Sequence, residues 1–102
     1  EQPNICLSRW RIRVLTGNTA ICVEGKRKDM RLALWHSSAV TERLTNNVVQ
    51  TCSGTVYQLQ GRIDSAAMRR EGFSYHFVKR FNHGFPRGWK EYVEEFLERR
   101  RR

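Results

Sequence analysis

Apolar residues Trp89, Tyr92, Val93, Phe96 and Leu97 recur at i, i+3, i+4, i+7 and i+8, which is one face of an α-helix. Glu91, Glu94, Glu95 and Glu98 lie between them and keep the rest of that helix wet. Directly before it stands Gly84-Phe85-Pro86-Arg87-Gly88, a turn in which Pro86 supplies a φ suited to a first helical turn and ends whatever precedes it. The pattern predicts an aromatic amphipathic lid with Trp89 near its start. Upstream the period changes to two. Over residues 9–15, Trp10, Ile12 and Val14 alternate with Arg9, Arg11 and Arg13, which predicts a half-buried strand with an all-arginine outer face. Thr16-Gly17-Asn18 reads as a turn, and residues 19–25 make a nearly continuous apolar strand that pairs with the first as a hairpin.

Further along, residues 26–31 are polar and basic and read as an exposed loop. Residues 32–44 are expected to form a strand, although Ala39 to Leu44 also suit a helical turn. Asn46-Asn47 is a turn. Val48–Cys52 and Thr55–Gly61 flank Ser53-Gly54 as the two arms of a hairpin, with Thr55, Tyr57 and Leu59 on one face and Gln58 and Gln60 on the other. Residues 64–72 resemble a short helix, with Asp64 or Ser65 as cap and Gly72 as terminator. Phe73 to Phe81 alternate as a strand: Phe73, Tyr75, Phe77 and Phe81 line one face, and Ser74, His76, Val78 and Arg80 the other. The expected architecture is mainly β, a small antiparallel sheet or partly open barrel with the C-terminal helix packed on it.

The 102 residues allow one core and one domain, which we take as 1–102 with its core at about 6–98. No apolar run approaches the roughly 20 residues that would span a bilayer, so no membrane partner is expected. Glu1-Gln2-Pro3-Asn4 has neither the basic nor the apolar region of a signal peptide, and the chain reads as a domain excised from a larger protein. The net charge of +9 changes the picture more, because it favours acidic partners: nucleic acid, an acidic protein surface or anionic lipid. Arg99–Arg102 supply four of those charges. Glu95 with Arg99 and Glu98 with Arg102 fall at i, i+4, so helix stabilisation accounts for that tail.

Candidate chemistry is sparse. Three cysteines (Cys6, Cys22 and Cys52) with no CxxC argue against a disulfide framework and for a reducing compartment. Cys22, Cys52, His36, His76 and His83 have no metal-ligand spacing, and no acid–base set is recognisable. Neither an enzyme nor a cofactor is expected. Trp10, Trp35 and Trp89 each fall on an apolar face and read as core rather than as a cage for a methylated lysine, and the Phe73, Tyr75, Phe77 row reads as core rather than as a base-stacking platform. Two basic clusters remain as candidate partner-binding residues: the row Arg9, Arg11, Arg13 and the loop residues Lys26, Arg27, Lys28 and Arg31. Once the first two strands pair, both clusters are expected along one edge of the domain. Three arginines on one strand face repel each other, and either cross-strand anions or partner anions would relieve that.

The ordered set Trp10, Cys22-Val23-Glu24-Gly25, Trp35, Ser37-Ser38, Val40, Ser53-Gly54, Val56-Tyr57, Leu59, Gly61, Phe81, Gly84-Phe85-Pro86, Trp89 and Phe96-Leu97 resembles the SANTA (SANT-associated) family over nearly the whole chain. Among its versions the chain most resembles the vertebrate kinetochore-null type, whose members bind the Mis-eighteen licensing complex and help deposit the centromeric histone variant CENP-A after mitosis. The resemblance implies a nuclear, non-enzymatic module at centromeric chromatin. Its implied partners are licensing-complex proteins or the CENP-A nucleosome, in the context of the cell cycle and cell division. Direct, phosphate-driven DNA binding is the alternative, and self-association through a sheet edge a third. The hallmark residues Trp10, Gly25, Trp35, Gly54, Tyr57, Leu59, Gly61, Phe81, Gly84, Phe85, Pro86 and Trp89 are expected to build the fold.

Overall fold

A computed structural model describes residues 4–102; Glu1–Pro3, part of the stretch read above for a leader, lie outside the described residues. Six strands, β1 (Asn4–Val14), β2 (Ile21–Arg27), β3 (Ala33–His36), β4 (Val40–Thr45), β5 (Val48–Thr51) and β6 (Val56–Gln60), form one open sheet. Its order is β3-β2-β1-β6-β5-β4. Three helices follow: α1 (Ser65–Arg70), α2 (Tyr75–Arg80) and α3 (Trp89–Arg101). The fold is β-rich, as the hydrophobic pattern predicts, and the sheet is mixed rather than purely antiparallel. Residues 4–8, upstream of the strand expected at 9–15, run parallel to β6 from Asn4 opposite Val56 to Ser8 opposite Gln60.

β1 changes character halfway. Its register with β2 slips between Ser8 and Arg11, and Arg9 takes a left-handed φ of 51°. The extra residue turns Leu7 and Trp10 to the same side although they are three apart, and both are fully buried. Beyond the bulge β6 has ended, and the α1 segment satisfies β1 instead. The Asp64 N–H donates to the Trp10 carbonyl at 2.8 Å, the Trp10 indole N–H donates to the Gly61 carbonyl at 2.9 Å, and the Ile12 N–H meets the Met68 sulfur at 3.2 Å. Gly25, on β2, lies against this kink. A Cβ there would stand 2.8 Å from the Ser8 carbonyl oxygen and 3.1 Å from the Leu7 Cβ, so only glycine lets the two strands pair at the bulge.

Two expectations are corrected by tertiary context. Residues 32–44 are not one strand but β3 and β4, which lie on opposite edges of the sheet with Ser37–Ala39 between them. Ser37 pins the crossing. Its N–H donates to the Val23 carbonyl at 2.9 Å, its buried hydroxyl accepts the Val23 N–H at 3.0 Å, and the hydroxyl in turn donates to the Ser38 carbonyl at 2.6 Å. The segment Phe73–Phe81 is the helix α2, not a strand. Phe73, Phe77 and Phe81 satisfy a period of two and a period of four equally well, and the Ser74 hydroxyl accepting the Phe77 N–H caps the helical alternative. The helix buries Val78 with Phe77, and Tyr75 is 66% exposed, the reverse of the strand assignment.

The core lies between the inner face of the sheet and the helices. Phe73, Phe77, Phe81, Phe85, Trp89 and Phe96 form a connected aromatic stack with centroid separations of 4.5–5.4 Å, and Phe85 stacks on Trp10 at 6.0 Å. Such ring pairs add about 0.5–1.5 kcal/mol each beyond the area they bury. α3 is the expected lid: Trp89, Val93 and Leu97 are buried, and Tyr92 and Phe96 half-buried. The turn before it is held from the far edge of the sheet. Gly84 has φ 129° and any Cβ there would overlap the Asn46 carbonyl, which accepts the Phe85 N–H at 2.6 Å. The Arg43 guanidinium donates to the Phe85 carbonyl at 2.7 Å.

Candidate interaction surface

The arginine row expected on β1 does not stand free. Glu24, directly opposite Arg11 in the register and 4% exposed, receives both neighbours: Arg11 at 3.1 Å and Arg13 at 3.2 Å. Asp64 stands 3.9 Å from Arg11. The cross-strand anion therefore comes from within the chain, and the repulsion between two of the three arginines is relieved there. Nor does the row lie along an open sheet edge: β6 pairs only with residues 4–8, and beyond them Asp64 and Met68 of the α1 segment meet that side of β1. A glutamate inside an apolar strand opposite an arginine row was the sequence signal for this clamp. Cys22 lies beside it, its thiol pushed up by burial and by the nearby Glu24 carboxylate, with Arg13 opposing.

Arg9 is separated from its row by the bulge. It lines an open depression of about 570 Å³ with Gln60, Gly61, Arg62, Asp64 and Arg70. Among the described residues Arg9, Arg62 and Arg70 form no salt bridge. Arg62 and Arg70, adjacent to nothing basic on β1 in sequence, were not singled out before folding brought them there.

The residues 26–31 divide in the same manner. Lys26 and Arg27 belong to β2 rather than to a loop, and Lys28–Met30 form a 3₁₀ turn. Arg27 is engaged internally: its guanidinium lies 4.5 Å over the Trp35 ring and binds the Asp29 carboxylate at 2.7 Å. That hydrogen bond holds the Asp29 carboxyl below its ordinary range. Trp35 in turn donates its indole N–H to the Tyr57 hydroxyl at 3.0 Å. Its face is taken, and Trp10 and Trp89 are sealed in the core, so the three tryptophans serve packing. Lys26, Lys28 and Arg31 form no salt bridge among the described residues, and Lys28 and Arg31 are exposed.

The C-terminal arginines find other partners than the expected ones. Arg101 binds Glu94 at 2.8 Å and approaches Glu98 at 3.7 Å, whereas Glu95 meets Arg80 at 3.6 Å. Arg100 and Arg101 both donate to Asn18, in the β1–β2 turn, at 3.1 and 2.8 Å. The tail thus ties α3 to the sheet.

Most of the hallmark positions lie in the core or in turns. Tyr57, Leu59, Phe81, Phe85 and Trp89 are buried, Gly54 turns the β5–β6 hairpin with φ 90°, and the Pro86 carbonyl accepts the Trp89 N–H at 3.1 Å. No solved structure matches this chain. A family model described as SANTA (SANT Associated) matches residues 5–92, which run from the first strand into the last helix. The chain belongs to the SANTA (SANT Associated) family, a class of chromatin-associated or protein-interaction modules of nuclear, chromatin-related proteins.

Proposed function

We propose that this domain is a non-enzymatic module that helps recruit or hold the CENP-A licensing machinery at centromeric chromatin. One observation carries the reading: most of the ordered family hallmark residues lie in the core or in turns, while Arg9, Arg62, Arg70, Lys26, Lys28 and Arg31 form no salt bridge among the described residues. The version of the family this chain most resembles in sequence supports the centromeric assignment. The partner on this reading is a licensing-complex protein or the CENP-A nucleosome, and the net charge of +9 favours an acidic surface on that partner. The test is deletion of the domain from the full-length protein, followed by imaging of its localisation and of new CENP-A loading. Intact localisation and loading would end the proposal.

A second reading, direct binding to the DNA backbone, draws support from the depression holding Arg9, Arg62 and Arg70. Phosphate contacts of this kind weaken steeply with salt and ignore sequence. The informative variant reverses Arg9, Arg62 and Arg70 to Glu together. Reversing Arg11 and Arg13 would instead break the Glu24 clamp and report on folding. DNA affinity unchanged in the triple variant would remove this reading.

A further inference from the structure

β3 is an edge strand with an unusual composition. Met30, Leu32 and Leu34 recur at i, i+2 and i+4 leading into it and are 46%, 52% and 59% exposed. The backbone there is held in an uncommon form, since Arg31 and Leu32 have φ of 56° and 61°, consecutive left-handed residues neither of which is glycine. On the inner side β3 is anchored by the Trp35 bond to Tyr57 and by Arg27 stacked on Trp35. Among the described residues no strand pairs with its outer edge. The Ser37 N–H bonds to the Val23 carbonyl, and in an antiparallel ladder bonded and non-bonded pairs alternate. Pairs Leu34–Lys26 and His36–Glu24 are then the non-bonded ones, so the N–H and C=O of Leu34 and His36 point away from β2 into solvent.

From these features we infer that the β3 edge is a docking site for an extended peptide that adds as a seventh strand, with apolar side chains seated on Leu32 and Leu34 and carboxylates meeting Lys26, Lys28 and Arg31. Charge decides the occupant. Residues 26–36 carry four cations and one carboxylate, Asp29, and that carboxylate is held by Arg27. A second copy of this chain would bring the same positive charges against these, which disfavours edge-to-edge pairing. An acidic partner segment supplies the complement, and main-chain pairing with alternate side-chain contacts is how strand addition obtains affinity and selectivity. The other edge lacks these features: β4 places Glu42 beside its exposed Leu44, and Arg43 is bound to the Phe85 carbonyl. This site deepens the interaction-module reading and rests on it.

The probe is a short fluorescein-labelled peptide of alternating glutamate and isoleucine, titrated into the domain beside its lysine–isoleucine counterpart. Leu34→Pro removes an outward-facing N–H together with the leucine side chain while leaving the β2 bonds in place, and the pair Leu32→Ser with Leu34→Ser removes the apolar contacts alone. Leu44→Ser serves as control on the other edge. The acidic peptide is expected to bind, to shift the amide resonances of residues 33–37, and to bind at least about tenfold more weakly to both β3 variants but equally to the Leu44 variant. The lysine counterpart is expected not to bind. The proposal is overturned by equal affinity in the β3 variants, by loss in the Leu44 variant alone, by no binding at millimolar peptide, or by equal binding of the lysine peptide. Displacement of the peptide by short duplex DNA would also overturn it, as would a concentration-dependent dimer that Leu34→Pro abolishes. Native spectra of each variant separate loss of binding from loss of fold. The centromeric reading is judged separately, by the deletion experiment, so either can fail while the other stands.

Discussion

The segments that become β1 and β3 both read in sequence as strand beside basic residues, the first at 9–15 and the second within 32–44, yet the fold treats them in opposite ways. β1 is central, flanked by β2 on one side and by β6 and then the α1 segment on the other, and its arginines Arg11 and Arg13 close on the buried Glu24. β3 is an edge with unpartnered backbone and exposed leucine side chains, and beside it Lys26, Lys28 and Arg31 form no salt bridge among the described residues. The lesson is that positive charge in a sequence measures nothing about its availability. The strand with the denser arginine pattern is the one whose charge is used internally, and the strand with the plainer pattern is the one left open.

Several changes would break or sharpen that contrast. The largest effect is expected where the sheet meets its lid. Trp89→Ala removes the indole that packs edge-on to Phe85 at 5.4 Å, and Phe85 is the ring stacked on Trp10 of β1. It should cost about 3–5 kcal/mol in urea unfolding, and a variant that melted like the parent would make α3 peripheral. Next comes the clamp. Glu24→Gln leaves two arginines over a buried amide, and the expected loss is about 2–3 kcal/mol, measured by the same unfolding curves. If the loss were negligible, the β1 charges would be free after all and the contrast with β3 would disappear.

The remaining effects are smaller. Leu34→Ser should change stability by no more than about 0.5 kcal/mol, because that side chain faces solvent; a greater loss would mean that the β3 edge is already covered by this chain. Cys22 should resist alkylation in the native state while exposed Cys52 reacts, since burial and the Glu24 charge push the Cys22 thiol up and keep it neutral. With its thiol pKa raised, the native state holds this proton longer than the unfolded chain does, so stability is unaffected below the unfolded value and falls as pH climbs from there through the folded one. Early labelling of Cys22, followed by mass spectrometry, would show that β2 opens locally. Smallest is the Arg27–Asp29 pair. Asp29 is held below its ordinary range, so the pair contributes above the unfolded carboxyl value and is lost as pH falls through the folded one. Amide shifts of residues 28–32 should move in acid, and a loop insensitive to acid would mean that Asp29 does not organise it.

Much of the frame was legible without coordinates. The strand expected at residues 9–15, which is the second half of β1 and ends at Val14, the β1–β2 hairpin, the hairpin around Gly54, the short helix with Asp64 or Ser65 as cap, which proves to be Asp64, and the final amphipathic helix follow from local periodicity and capping, and all are present. Phe73–Phe81 was not legible, because three phenylalanines spaced by four satisfy a strand and a helix alike, and only the Ser74 cap and the packing against Phe96 decide between them. The split of residues 32–44 escaped for a similar reason. Ser37 reads as an ordinary polar residue until its hydroxyl is found receiving the Val23 N–H.

The candidate site divides the same way. The charged residues themselves are visible in the sequence, and so is the glutamate that would neutralise two of them. Their availability is not, since it depends on which strands become edges. By itself the chain determined its family, its β-rich character, the lid and its positive charge, because periodicity, turn chemistry and composition act over a few residues at a time. Tertiary structure decided the parallel β1–β6 pairing, the bulge that detaches Arg9 from its row, the Glu24 clamp and the open β3 edge. Each of these joins residues far apart in the chain, and no local pattern carries the information about which distant strand will lie alongside.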